Sequence, residues 1–170
     1  GITQKADFPH LAIAESTGGS IVNPAAFCDV VGLCPTYGRV SRYGLIDYAN
    51  SLDKIGTMAK NSADAGLLLE VINGKDCKDS TCISNIAQFS EFGKSVKGLK
   101  IGIVREAFGE GIEPRISERV KDSVKKLEGA GAKIVDVSLP INFKYGIPTY
   151  YILAMCEAST NLAKYCGMRY

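Results

Sequence analysis

Ser20 stands directly behind two glycines in Thr17-Gly18-Gly19-Ser20, and a segment able to begin a helix follows it. A serine hydroxyl beside converging backbone N–H donors suits acyl transfer. The hydroxyl attacks a carbonyl, and the donors hold the oxyanion that develops. Adjacent glycines admit backbone conformations closed to other residues and let a ligand come close. The N–H groups of such a turn can converge on a single oxygen. Taken without its surroundings, the same tetrapeptide is a flexible turn with Ser20 as a helix N-cap.

Such a turn needs rigid elements on either side. Residues 10–14, with the apolar run Leu11 to Ala14, read as a buried strand that delivers it. Ser20 to Cys28 reads as a short helix that Pro24 limits to one N-terminal turn or a kink. Val30 to Leu33 reads as a second buried strand, and Pro35 to Arg39 as a loop suited to a site wall or a surface connection. Ser62 to Asn73 predicts a helix, with Ser62 as cap, an apolar stripe of Ala65, Leu68, Leu69 and Ile72, and Gly74 as stop. Residues 75–95 are polar and irregular, with a short helix expected near Ile86 to Phe92. Farther on, the strand Leu99 to Val104, the amphipathic helix Pro114 to Gly129 (Ile116, Val120, Val124 and Leu127 on one face) and the strand Ala132 to Leu139 predict a right-handed βαβ unit with parallel strands. Ile147 to Tyr165 reads as a largely buried helix. The pattern is that of an α/β protein.

Bulk properties narrow the function classes. A chain of 170 residues can bury a sizeable core in one domain. The net charge of +2 gives no broad basic field for direct nucleic-acid binding. Six cysteines with no Cys-x-x-Cys pair, and the single histidine His10, argue against a structural zinc site, and no metal is expected. The segment Gly1 to Lys5 has no signal-peptide pattern, so reduced, mostly buried thiols in a cytoplasmic protein are expected, with an organellar location as the alternative. The longest apolar stretch carries Glu157 and Lys164, and no membrane span is expected.

The stretch STGGSIVNPAAFCDVVGLCPTYGRVS, Ser16 to Ser41, resembles the signature of the amidase signature family. Its continuation Arg42 to Gly56, the triplet Asp79-Ser80-Thr81 and the segment Thr149 to Tyr170 are similar to one branch of that family, the A subunits of tRNA-dependent amidotransferases. The resemblance spans nearly the whole chain. It implies a mixed β-sheet covered by helices, present here as one incomplete domain over residues 1–170. It also implies an acyl-ester nucleophile at Ser20, an oxyanion hole from the N–H groups of Thr17, Gly18 and Gly19, and a substrate contact from Tyr151 in the Thr149-Tyr150-Tyr151 segment.

The same branch implies a glutaminase that releases ammonia from glutamine, so that Glu-tRNA(Gln) or Asp-tRNA(Asn) becomes Gln-tRNA(Gln) or Asn-tRNA(Asn). No cofactor is expected in this chain. ATP and Mg²⁺ are expected at a partner subunit, the partners are the B and C subunits, and tRNA is met mainly through a partner. Two alternatives stand beside this reading. One is a general amidase of the same family; the other is a truncated, inactive piece with a structural role.

The family's serine relay, a second serine in a cis peptide and an upstream lysine base, has only Lys5 and Ser16 as matches by type, and neither fits the family pattern. Within the signature, Ala14, Glu15 and Ser16 replace Gly-Ser-Asp, Val22 replaces an arginine, Cys34 a lysine and Thr57 a proline. Loss of the aspartate and arginine is expected to remove charged groups that brace the nucleophile turn.

Overall fold

The computed structural model describes residues 10–84 and 93–166, in two compact units: residues 10–84 with 150–166, and residues 93–149. The expected helix near Ile86 to Phe92 lies outside the described residues.

In the first unit, strands β1 (Ala12–Ser16), β2 (Val31–Leu33) and β3 (Lys54–Ala59) form an antiparallel sheet in the order β1-β3-β2. Ala12 pairs with Met58 and Ser16 with Lys54 on one side of β3; Val31 pairs with Ala59 and Leu33 with Thr57 on the other. β3 has no counterpart in the sequence reading. Its Gly56 weakens the strand pattern, yet the sheet demands that glycine: a Cβ there would stand 2.3 Å from the Leu33 carbonyl oxygen. Thr57, in the place of the family's proline, is fully buried and donates its hydroxyl to the Ala65 carbonyl at 2.8 Å.

β1 runs to Ser16 instead of ending at residue 14, and it is not buried throughout: Leu11 is 45% and Ile13 60% exposed. The reason is the alternation of faces along a strand: Ala12 and Ala14 pack on the Ile21 cluster, and Leu11 and Ile13 point the other way. Helix α1 (Val22–Phe27) follows the glycine turn. Its N-cap is Ile21, in helical conformation and with no side-chain cap, so Ser20 does not serve as the cap the sequence suggests. The Asn23 N–H already donates to the Gly19 carbonyl at 2.9 Å, so helical bonding starts before Ser20. Pro24 falls in the first turn, where proline is tolerated. Ile21 is fully buried and packs with Ala25 and Met58 against Ala12, Ala14, Val30 and Cys34. Burying one such side chain is worth about 1.5–3 kcal/mol.

Helix α2 (Ser62–Ile72) is capped by Asn61, whose side chain accepts from the Asp64 N–H, rather than by Ser62. Ala65, Gly66 and Leu69 are buried, and Gly74 follows the helix at φ +140°. The loop Pro35 to Arg39 packs on the 76–83 segment. Gly38 has φ +80°, and a Cβ on it would stand 2.5 Å from the Thr81 carbonyl oxygen. Beside it, the Arg42 guanidinium lies 4.7 Å from the Tyr37 ring centre and donates to Thr81 Oγ1 at 3.1 Å, and the Arg42 N–H donates to Asp79 at 2.8 Å.

In the second unit, β4 (Lys100–Val104) and β5 (Lys133–Val137) pair in parallel, Lys100 opposite Lys133 and Val104 opposite Val137. α3 (Pro114–Gly129) connects them with Pro114 at its start, as the sequence predicts. On its apolar face Val124 and Leu127 are half-buried, while Ile116 and Val120 are exposed. The α/β class holds, with the described strands in an antiparallel sheet of three and a parallel pair.

α4 (Pro140–Ala163) starts seven residues before the expected Ile147, passes through Pro148, and is not largely buried: Ala154 and Ala158 alone are buried among its described residues. These two lie one turn apart, so a single narrow stripe is covered while Tyr151, Ile152 and Met155 remain exposed. The thiols depart from expectation in their burial. All six cysteines are free, with Cys28, Cys34 and Cys82 half-buried and Cys77, Cys156 and Cys166 exposed.

Burial pushes the Asp79 carboxyl up, but hydrogen bonds from Thr81 and from the Arg42 N–H, with the Arg42 charge, outweigh it and hold it at about 2, below the ordinary 3.8. A carboxyl lowered in the folded state stabilises the fold above its unfolded value, and that contribution fades as pH falls through the folded one. Asp79→Asn is therefore expected to cost about 1–3 kcal/mol in thermal melts at neutral pH. The gap to the parent protein should close between about pH 4 and about pH 2; a gap that persists unchanged to pH 2 contradicts this assignment.

Candidate active site

β1 carries the chain straight into Thr17-Gly18-Gly19-Ser20, and the burial of Ile21 fixes the far end of that turn. Ser20 is left exposed between these two fixed points. Neither Gly18 nor Gly19 uses the left-handed backbone that the double glycine allows. Space disfavours a side chain at Gly18, against the Tyr150 ring, more than at Gly19, against the flexible end of Asn23. A Cβ on Gly18 would stand 2.7 Å from Cζ of Tyr150, and one on Gly19 would stand 2.9 Å from Nδ2 of Asn23. Among the described residues, no backbone hydrogen bond occupies the N–H groups of Thr17, Gly18 or Gly19. Among the described residues, the turn thus combines an exposed hydroxyl with N–H groups that no backbone hydrogen bond uses.

Thr17 is buried, and its hydroxyl lies 2.8 Å from Oδ1 of Asp53 and 3.0 Å from Oε1 of Glu15. Asp53, 1% exposed, accepts at Oδ2 from the N–H groups of Tyr48 and Ala49 at 2.9 and 3.0 Å. The brace whose loss was expected from Ser16 and Val22 is therefore present in another form: carboxylates from Glu15 and from Asp53 meet the turn at Thr17. Sequence reasoning missed Asp53. The available signal was a lone aspartate immediately before a strand-length segment, and its meaning depends on a contact 36 residues away.

α4 supports the same network at two places. Near Gly18, the Tyr150 ring is half-buried, and burial followed by the nearby Tyr48, Tyr151, Asp53 and Glu15 raises its phenol above the ordinary 10.0, so it stays a neutral hydroxyl. Tyr151 meets Tyr150 edge-on with ring centres 5.4 Å apart and is itself 53% exposed. The tyrosine that touches the turn is thus Tyr150, and Tyr151 stands behind it with a free face. Farther along, Asn161 donates to the Tyr48 carbonyl and accepts from Asn50, both at 3.2 Å. Glu157 accepts from the Ser51 N–H at 2.9 Å and pairs with its hydroxyl, and these bonds lower its carboxyl below the ordinary range. Lys164 pairs with Asp47. Residues 47–51, which hold Asp53 Oδ2, are therefore tied to α4.

Among the described residues, no three His, Cys, Asp or Glu side chains are grouped to hold a metal, and no helix is long and apolar enough to cross a membrane.

An exposed serine that ends a glycine turn is an arrangement suited to acyl transfer. The Amidase family model matches residues 6–169, and the chain belongs to that family. It is 53% identical over 161 residues to the A subunit of the glutamyl-tRNA(Gln) amidotransferase of Koribacter versatilis, covering 94% of this chain and 33% of that protein. To the corresponding protein of Staphylococcus haemolyticus it is 50% identical over 161 residues, with the same 94% and 33% coverage. The crystal structure of the Thermotoga maritima counterpart superposes with a TM-score of 0.84 at 43% identity, over 89% of this chain and 33% of that one. A peptide amidase from Stenotrophomonas maltophilia superposes at 0.78 with 31% identity, over 93% and 33%. The chain spans about a third of the length of the curated relatives it matches.

The Gly18–Tyr150 approach makes a stability prediction. Gly18→Ala is expected to cost about 1–3 kcal/mol through overpacking. Combined with Tyr150→Ala, the loss in chemical denaturation should fall short of the sum of the single losses by about 0.5–3 kcal/mol. Strict additivity would mean that the two residues do not share space.

Proposed function

We propose that this chain is the nucleophile-bearing part of the A subunit of a tRNA-dependent amidotransferase that releases ammonia from glutamine. The observation that carries the reading is the exposed Ser20 at the end of a turn whose N–H groups, among the described residues, make no backbone hydrogen bond. The 50–53% identity to glutamyl-tRNA(Gln) amidotransferase A subunits supports it.

On this reading the Ser20 hydroxyl attacks the side-chain amide carbon of glutamine. The oxygen of that carbonyl becomes an oxyanion held by the N–H groups of Thr17, Gly18 and Gly19. The C–N bond then breaks, ammonia leaves, and a glutamyl ester remains on Ser20. Water cleaves the ester, giving glutamate and the free hydroxyl. Tyr151, with its free face beside Tyr150, contacts the substrate. The deprotonating lysine and relay serine belong to the part of the amidotransferase that this chain does not span.

Ammonia passes to the partner B and C subunits, where ATP and Mg²⁺ activate the misacylated tRNA. The net charge of +2 accords with tRNA being held mainly by a partner, and the cytoplasm is the working compartment. A general amidase is the second reading, favoured by the likeness to the peptide amidase at 31% identity. Dependence of the reaction on glutamine and on partner subunits separates the two.

In the full-length protein with its partners, Ser20→Ala is expected to abolish glutamine hydrolysis, followed as ammonia or glutamate release, without changing the melting temperature. Hydrolysis at the parent rate by that variant would remove Ser20 from the mechanism.

A further inference from the structure

We propose that Asp53 is the positioning residue of the acyl-transfer turn: its buried carboxylate fixes Thr17, and through Thr17 the backbone N–H groups offered to the oxyanion. The inference rests on Ser20 being the nucleophile. The turn has few ways to be held in place. Gly18 and Gly19 have no side chains, and the Ser20 hydroxyl must remain free for chemistry, so Thr17 has the one side chain in the turn available as an anchor.

That anchor is well supported. A carboxylate at 1% exposure is costly unless donors surround it. Asp53 divides its two oxygens: Oδ2 takes the N–H groups of Tyr48 and Ala49, and Oδ1 takes the Thr17 hydroxyl at 2.8 Å. The carboxylate is thus oriented by backbone donors, independently of Thr17. Its own N–H donates to the Ala49 carbonyl at 2.8 Å, and Asn161 holds the Tyr48 carbonyl. The hydroxyl of Thr17 has a single proton. Glu15 competes for it at 3.0 Å, but the contact with Asp53 is shorter and buried. A negative charge disfavours a neighbouring oxyanion, so the role assigned to Asp53 is geometric. Geometry at this position matters because small misplacements of oriented groups cost large rate factors.

The test is glutamine hydrolysis by the full-length protein with its partners, measured as kcat and KM in four variants. Thr17→Val keeps the side-chain shape but loses the hydroxyl; it should lower kcat roughly 10- to 100-fold with KM changed by less than about twofold. Thr17→Ser keeps the hydroxyl and should stay within a few-fold of the parent. In Asp53→Asn the side-chain oxygen still serves Tyr48 and Ala49, but its NH₂ now donates to Thr17 and turns the Thr17 proton toward Glu15; kcat should fall, again without a matching change in KM. The double variant Asp53→Asn/Thr17→Val should be no slower than Thr17→Val alone. A parent-like kcat in Thr17→Val, or losses that multiply in the double variant, overturns the proposal. Should Thr17→Val fail to fold, a parent-like kcat in Asp53→Asn overturns it instead. Ser20→Ala serves as the control: full hydrolysis there defeats the nucleophile reading itself, whereas an inactive Ser20→Ala beside a fully active Thr17→Val defeats the role of Asp53 alone.

Discussion

The buried carboxylate of Asp53 is the constraint on which the first unit depends. Removed from water, it must be met by donors, and three supply them: the N–H groups of Tyr48 and Ala49 and the hydroxyl of Thr17. Satisfying that one group joins the end of β1, the 47–53 loop and the start of β3. The loop is in turn fastened to α4 by Asn161 and Glu157, and to Lys164 just past its end. Hydrogen bonds to a charged acceptor are worth more than neutral ones, and losing one strands a buried charge. A local requirement for solvation thereby becomes a long-range fastening of the glycine turn.

Packing completes what the carboxylate begins. Ile21 is driven into the core with Ala25 and Met58, while its neighbour Ser20 is left at the surface. Adjacent residues of a turn can be separated in this way because the backbone rotates between them, and the buried one fixes where the exposed one sits. Tyr150 closes the other side by occupying the space a Gly18 side chain would need. Crowding against the Tyr150 ring accounts for the glycine at position 18.

The local signals in the sequence carried a good part of this. The glycine turn, α2 and the β4–α3–β5 unit follow from short-range patterns, namely a glycine pair before serine, apolar spacing in Ala65 to Leu69, and Pro114 opening an amphipathic run, and the family from the resemblance of Ser16 to Ser41. What stayed hidden depends on contacts between distant segments. β3 is interrupted by Gly56, whose reason is the Leu33 carbonyl across the sheet. Asp53 looks like any loop aspartate until Thr17 is placed beside it. Seeing that Tyr150 packs against Gly18 requires knowing which face of α4 meets the turn. The burial of α4 was overestimated because an apolar composition does not say how much of a helix another element covers; of its described residues, Ala154 and Ala158 alone are buried.

The central claim is that Ser20 becomes acylated. The most direct measurement is acid quenching of the full-length protein during glutamine turnover, followed by peptide mass analysis. The account predicts a glutamyl group, labile to hydroxylamine, on the peptide that carries Ser20 and on no other. A glutamyl adduct at a different residue, or active turnover in which no Ser20 adduct forms even when the following hydrolysis is slowed, would contradict it.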